Sequence, residues 1–254
     1  MAERTFQRLQ HIIRENGAGF VLLIDPDKLS RSAIAESIPR AVEQGVDVLF
    51  IGGTFLFQQE FNPFVEAVKK AAGDTPVVLF PGSIFQLSPH ADALLYLSLI
   101  SSRNAEFLIG NQVQAAPLVW KMGLETIACA YMMVESGKLT SAAFLSNSHP
   151  IPRDKPDVAV AHTLAAQYLG MKLVYLEAGS GAQQTVPEEM ISAVSRVVEL
   201  PLIVGGGIRS PEEAAKKVAA GASFVVVGNY FEDQTNWQLL GEFADAIHRS
   251  RRPQ

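Results

Sequence analysis

Hydrophobic positions along the chain follow two alternating rhythms: short unbroken runs of β-branched and aliphatic residues, and longer stretches in which apolar positions recur at helical spacing. The runs predict eight strands, over 20–24, 46–51, 77–80, 93–97, 125–130, 172–177, 201–204 and 223–227. Most are continuously apolar and not alternating, so each strand is expected to be covered on both faces, as in a parallel sheet flanked by helices. The stretches between them predict helices over 31–43, 62–72, 157–170, 187–198 and 211–220, several of them ending at a glycine that can stop a helix. Pro187 and Pro211 stand where helices begin, a place at which the missing N–H costs nothing.

Eight strands alternating with helices predict an α/β fold of the (β/α)8 barrel type, and 254 residues is close to the ~250 that such a barrel uses. Length alone would also allow two small domains. No linker or low-complexity segment divides the chain, so one domain over 1–254 is the expected organisation. One unit departs from the rhythm: between Phe80 and Ala93 lie only the residues 81–92, interrupted by Pro81 and Pro89, too short for a full crossover helix. The barrel should therefore lack its third helix. The stretch 131–156, rich in serine, proline and polar residues, reads as a long loop after the fifth strand, on the rim where such barrels place specificity.

Composition sharpens this picture by exclusion. Hydrophobic residues make up 48% and charged ones 19%, with a mean hydropathy of +0.16, which rules out a disordered chain and calls for a well-filled core. The net charge is -5, and the basic residues are scattered except for the tail Arg249, Arg251 and Arg252, so no basic stripe points to nucleic acid. Any anionic ligand must be held locally. No signal peptide or membrane-length apolar run is read, so a cytoplasmic protein is expected. The single cysteine, Cys129, lies in an apolar run and reads as a core residue.

Candidate chemistry gathers at the strand ends. After the sixth strand comes Glu177-Ala178-Gly179-Ser180-Gly181, after the seventh Gly205-Gly206-Gly207-Ile208, and after the eighth Gly228-Asn229. Residues without a Cβ let backbone N–H groups approach phosphate oxygens, and the last two loops are the usual phosphate site of this barrel. Tight turns alone would explain any one cluster; three in consecutive units point to phosphate. Ser180 and Asn229 could add side-chain hydrogen bonds, whereas Arg209 reads as an exposed residue at a helix start.

Across the ring, the first strand runs into Asp25-Pro26-Asp27-Lys28 and the second into Gly52-Gly53-Thr54. A carboxylate and a hydroxyl on adjacent strand ends suit Mg²⁺, which completes its shell with water and substrate phosphate. Asp25 or Asp27 as a general base, or as a turn residue beside the proline, are the other readings. Tyr175 and Glu177, two apart on the sixth strand, share one face of it. If that face is the barrel interior, Glu177 sits beside the phosphate loop and can take a proton from a hydroxyl that Tyr175 orients. A solvent-facing carboxylate is the bland alternative.

These pieces, in order and spanning almost the whole chain, resemble the family of geranylgeranylglyceryl phosphate synthase and heptaprenylglyceryl phosphate synthase: Asp25-Pro-Asp-Lys28, Gly52-Gly-Thr54, Tyr175-Leu-Glu-Ala-Gly-Ser-Gly181, Gly205-Gly-Gly-Ile208 and Gly228-Asn229. The resemblance implies a TIM-barrel prenyltransferase whose third helix is replaced by an extended segment. It implies sn-glycerol 1-phosphate bound by Tyr175, Leu176, Glu177, Ala178, Gly179, Ser180, Gly181, Gly206, Gly207, Gly228 and Asn229, with Glu177 and Tyr175 catalytic. It further implies Mg²⁺ held by Asp25 and Thr54 against a prenyl diphosphate, geranylgeranyl diphosphate being the expected donor, and a homo-oligomer. The prenyl chain needs an apolar groove, for which Phe55, Phe57, Phe80, Phe85, Leu87 and Tyr96 are available.

Three readings compete with the transferase: a flavin oxidoreductase, a sugar-phosphate isomerase and a non-catalytic phospholigand-binding barrel. The isomerases pair an acid on the first strand with one on the fifth, and here Ala130-Tyr131-Met132 carries none before Glu135. No histidine has ligand spacing: His162 falls on a helical stretch and His90 and His149 in loops. Trp120 and Trp237 read as core or subunit contacts.

Overall fold

A computed structural model, describing residues 4–57 and 60–253, shows how the apolar runs close on themselves. The chain order is α1 (Thr5–Asn16), β1 (Gly19–Ile24), α2 (Ile34–Glu43), β2 (Val48–Ile51), α3 (Phe61–Ala72), β3 (Val77–Leu79), β4 (Ala93–Leu99), α4 (Asn111–Met122), β5 (Glu125–Met133), α5 (Ser141–Ser146), α6 (Pro156–Tyr168), β6 (Leu173–Glu177), α7 (Glu188–Ser195), β7 (Leu202–Gly205), α8 (Pro211–Ala220), β8 (Phe224–Val227), α9 (Asn229–Glu232) and α10 (Leu240–Arg249). All eight strands pair in parallel with their sequence neighbours, and β8 pairs back onto β1, with Val21 opposite Val226, to close the barrel. No helix forms between β3 and β4, as the short interval predicted.

The strands divide their side chains between two cores because successive residues point to opposite faces. Val21, Phe50, Val78, Leu95, Cys129 and Tyr175 belong to the cluster inside the barrel. Leu22, Leu49, Leu79, Ala130, Val174 and Leu176 meet Phe64, Ile191 and Phe243 of the surrounding helices. That double coverage is why the runs are continuously apolar. Cys129 is fully buried in the interior, where burial raises its thiol pKa, as a core residue should behave.

Two departures from the sequence pattern position the site. The first is α1, whose Leu9 joins the interior cluster with Phe6, Ile12 and Ile13 packed against it, so that it plugs the N-terminal end of the barrel. The Glu125 carboxylate at the start of β5 receives the Thr5 and Phe6 backbone N–H groups at 2.7 and 3.2 Å, satisfying orphan donors of the helix's first turn. The second is the stretch 131–156, which is not one loop: β5 continues to Met133, with Tyr131 opposite Tyr175 and Met133 opposite Glu177, and α5 lies within the remainder. Pairing with the neighbouring strands carries β5 on past Ala130, and Tyr131 becomes part of the barrel's upper layer. Trp237 is buried, but Trp120 is 82% exposed on α4 and is no core residue.

Away from the site, Asp47 binds the lower ends of several elements together. It accepts from the Phe20 N–H at 2.7 Å and the Asn16 amide at 3.0 Å, and lies 2.8 Å from His248 Nε2 on α10. The hydrogen bond to Asp47 raises the His248 pKa, with burial opposing it. A folded value above the unfolded one means that the pair's stabilisation is fully present below the unfolded value and is lost as pH rises through the folded one. His248→Gln is therefore expected to lower the melting temperature at about pH 5, with the gap from wild type closing towards about pH 9. Thermal melts of both proteins at the two pH values check this, and a constant gap would contradict it.

Candidate functional site at the C-terminal rim

Glu177 ends β6 in phase with Leu173 and Tyr175, both in the interior cluster, so its carboxylate enters the top of the barrel and not the solvent. It is 7% exposed, and its Oε1 accepts the Gly179 N–H at 2.7 Å. Burial raises its pKa, opposed by the Tyr175 hydroxyl and the Gly179 N–H. Beneath it the rings of Phe80, Tyr131 and Tyr175 pack as a floor, Phe80 stacking on Tyr175 at 5.2 Å and Tyr131 meeting Tyr175 edge-on at 5.4 Å. The Tyr175 hydroxyl is buried beside the Glu177 carboxylate without completing a well-formed hydrogen bond. Burial and the neighbouring carboxylate push its pKa well up, so it stays a neutral O–H donor.

The glycine loops meet around this carboxylate. A Cβ on Gly206 would stand 2.4 Å from Glu177 Oε1 and 2.6 Å from Gly179 N, and the residue holds φ +90, so side-chain-free backbone is needed there twice over. Asn229 ties the sixth and eighth loops: its Oδ1 receives the Ser180 hydroxyl and the Gly181 N–H, each at 2.8 Å. Ser180, Gly181, Gly206, Gly207, Gly228 and Asn229 all line one cavity with Tyr175 and Glu177. Leu176 and Ala178 are not among the residues that line it: both are buried in the outer cluster against the helices, so their side chains are packing and not ligand contacts. Arg209 is exposed, as its sequence position predicts, yet its guanidinium donates to Ala182 O at 2.8 Å and it lines the same cavity.

Asp25 and Thr54 line the same cavity from the turns after β1 and β2, with β1 next to β8. Asp25 Oδ1 caps its own turn by accepting the Asp27 N–H at 2.9 Å, and burial raises the Asp25 pKa, with the Asp27 N–H and Lys28 opposing. Its carboxylate faces the second loop closely, at 3.0 Å from where a Gly53 Cβ would be. A carboxylate and a hydroxyl looking into one space form a hard-oxygen donor pair that fits Mg²⁺ completed by water and substrate oxygens. Among the described residues no group of three or more His, Cys, Asp or Glu stands where it could hold a metal.

Sequence reasoning missed Glu232. It accepts from the Asn229 amide, lines the cavity, and has its pKa raised by burial and by the charge of Asp25. Its only sequence signal is the three-residue spacing from Asn229 in a one-turn helix.

The cavity encloses about 330 Å³ and runs from the glycine loops past Phe80 to the gap left by the absent helix. Of the aromatic and aliphatic groove candidates, Phe80, Leu87 and Tyr96 line it; Phe55, Phe57 and Phe85 do not, and are 51%, 81% and 75% exposed. Ile84, Leu94, Phe107, Ala115 and Leu145 supply the apolar wall instead. Ala115 comes from α4 and Leu145 from α5, elements whose approach only the fold reveals.

Comparison with known proteins identifies the family. A geranylgeranylglyceryl phosphate synthase of Chitinophaga pinensis is 46% identical over 90% of each chain, and that of Thermococcus kodakarensis 42% identical over 90% of each. The crystal structure of (S)-3-O-geranylgeranylglyceryl phosphate synthase from Thermoplasma acidophilum, in complex with its substrate sn-glycerol-1-phosphate, superimposes with a TM-score of 0.89 at 33% identity, covering 97% of this chain and 99% of that one. A tryptophan synthase chain from M. tuberculosis reaches only 0.60 at 16% identity and shares the barrel fold alone. The PcrB family matches residues 10–247, and with that span matched this chain belongs to the PcrB family.

Proposed function

We propose that the chain, acting as one catalytic barrel, is a geranylgeranylglyceryl phosphate synthase. It joins the 3-hydroxyl of sn-glycerol 1-phosphate to a long prenyl diphosphate through an ether bond and releases diphosphate. The observation that carries this reading is one cavity with a buried carboxylate among glycine loops, an Asp–Thr pair after β1 and β2, and an apolar arm between β4 and α4. The glycine loops hold the acceptor's phosphate through backbone N–H groups, as their close, side-chain-free approach favours. Asp25 and Thr54 would hold Mg²⁺, which when bound supplies positive charge against the leaving diphosphate.

Residue chemistry then accounts for the transfer. The Tyr175 hydroxyl, neutral and unsatisfied, orients the glycerol, and Glu177 accepts the proton of the attacking 3-hydroxyl. The new bond joins that oxygen to C1 of the prenyl group as the bond from C1 to the diphosphate oxygen breaks. The apolar arm takes the prenyl chain and keeps water from the allylic carbon. Trp120, exposed on α4, is available to a second copy of the chain, and sedimentation velocity reads that self-association directly.

The test is incubation with Mg²⁺, sn-glycerol 1-phosphate or its 3-phosphate enantiomer, and prenyl diphosphates of graded length. Ether product from the 1-phosphate is expected, and its absence overturns the reading. Gly206→Ala tests the loops separately. With a left-handed φ and a Cβ pressed onto Glu177 and Gly179, it costs on the order of 1–3 kcal/mol. Calorimetry should show glycerol phosphate bound ~10-fold or more weakly. Unchanged affinity would remove that loop from the acceptor site.

A further inference from the structure

The segment that replaces the missing helix buries two polar side chains completely, Ser88 and the larger Gln86, each at 0% exposure, and the amide is that of Gln86. Both ends of its amide are used. Nε2 donates to Gly53 O at 2.8 Å and Phe55 O at 3.2 Å, while Oε1 accepts the Gly82 N–H at 3.0 Å and the Gly53 N–H at 3.3 Å. Three of these four bonds go to the β2–α3 turn that carries Thr54.

Bare backbone surrounds the same place. A Cβ on Gly52 would lie 1.8 Å from Phe80 O, and one on Gly82 would lie 2.4 Å from Gly53 O, so the turns after β2 and β3 are pressed together with no side chain between them. In an ordinary β/α unit a helix following β3 would brace this surface. Here the cavity's apolar arm occupies that side, and Ile84 and Leu87, either side of Gln86 in the chain, face it. The amide of Gln86 is the brace that remains.

We infer that Gln86 is a positioning residue for the donor half of the site. By clamping the Gly53–Phe55 backbone it fixes Thr54 on the cavity wall beside Asp25, and so sets the affinity for the diphosphate end of the donor with its cation. This rests on the proposed reading that Asp25 and Thr54 serve the prenyl diphosphate. A buried amide that only stabilised the fold would affect both halves of the cavity alike. One that positions Thr54 affects the donor half alone, because its bonds reach no residue of the glycine loops.

The experiment measures binding of Mg²⁺ with inorganic diphosphate, and of sn-glycerol 1-phosphate, by calorimetry on wild type, Gln86→Met and Gln86→Glu. Steady-state constants for both substrates are taken on the same preparations. Glycerol phosphate binding counts the folded protein in each sample, so partial loss of fold does not mask the result. Expected are a ~10-fold weaker diphosphate affinity, a similar rise in KM for the prenyl diphosphate, and glycerol phosphate affinity within ~2-fold of wild type. Glutamate, which keeps the shape but turns a carboxylate oxygen on Gly53 O and Phe55 O, should be at least as damaging as methionine. Wild type that binds diphosphate alongside variants that bind it equally well overturns the role of Gln86, as does an equal loss of both ligands. Wild type that binds no diphosphate with Mg²⁺ overturns the reading of the donor half itself, and the inference with it.

Discussion

Glu177→Gln is expected to leave sn-glycerol 1-phosphate affinity within about threefold of wild type while turnover falls by ~10²-fold or more, the usual scale for loss of a positioned general base. The substitution preserves shape, and a glutamine Oε1 can still accept the Gly179 N–H that now lies 2.7 Å from the carboxylate. What it removes is the capacity to take a proton. The pH dependence offers an independent reading. Burial holds the Glu177 pKa above the usual carboxylate range, so its protonated, inactive form persists to higher pH than for a solvated glutamate. Wild-type kcat should therefore rise with pH through that elevated value, and the residual rate of the glutamine variant should lack that limb. Calorimetry for binding and single-turnover product formation for rate separate the two effects. Undiminished turnover would leave Glu177 as a structural acceptor for Gly179 and no more.

The contrast between what was legible in the chain and what was not follows from how each feature is encoded. Strands buried on both faces write continuous apolar runs, so the eight strands, the parallel sheet and the missing helix after β3 could be read directly. Motif residues at the strand ends also stood out, because glycine and carboxylate interrupt those runs at the C-terminal rim. The interior position of Glu177 follows from the two-residue alternation with Tyr175 and Leu173.

Features built by contact between distant segments left weaker traces. Phe6, Leu9, Ile12 and Ile13 lie at helical spacing, but that α1 plugs the barrel depends on Glu125 at the start of β5, 120 residues along the chain from Thr5. Aromatic character alone could not separate Phe80, which lines the cavity, from Phe55 and Phe57, which pair with each other at 5.8 Å on the surface. Loop side chains have no period to fix their direction. Gln86 is the extreme case: one glutamine in an irregular segment, indistinguishable in the chain from a solvated one until its four hydrogen bonds are in place.

Asp25→Asn should produce the second large effect, and on the other half of the reaction. An asparagine keeps the Oδ1 acceptor that holds the Asp27 N–H at 2.9 Å, so the turn after β1 is retained and only the charge is lost. That charge is the one acidic contribution in the proposed metal pair with Thr54, and nearby Glu232 is engaged with Asn229. Electrostatic stabilisation of a leaving group by a bound cation amounts to several kcal/mol. At about 1.4 kcal/mol per tenfold, kcat/KM for the prenyl diphosphate is expected to fall by ~10²- to 10³-fold, with activation by Mg²⁺ requiring far more metal. Affinity for sn-glycerol 1-phosphate, held by the glycine loops, should change little. A Mg²⁺ titration of activity in both proteins decides the matter: if the asparagine variant follows the wild-type curve, Asp25 is a turn residue and the cation lies elsewhere. If the dependence collapses while acceptor binding holds, the two sides of the rim are separable sites. The transfer is then governed by how far apart the β1–β2 turns and the glycine loops hold the two substrates.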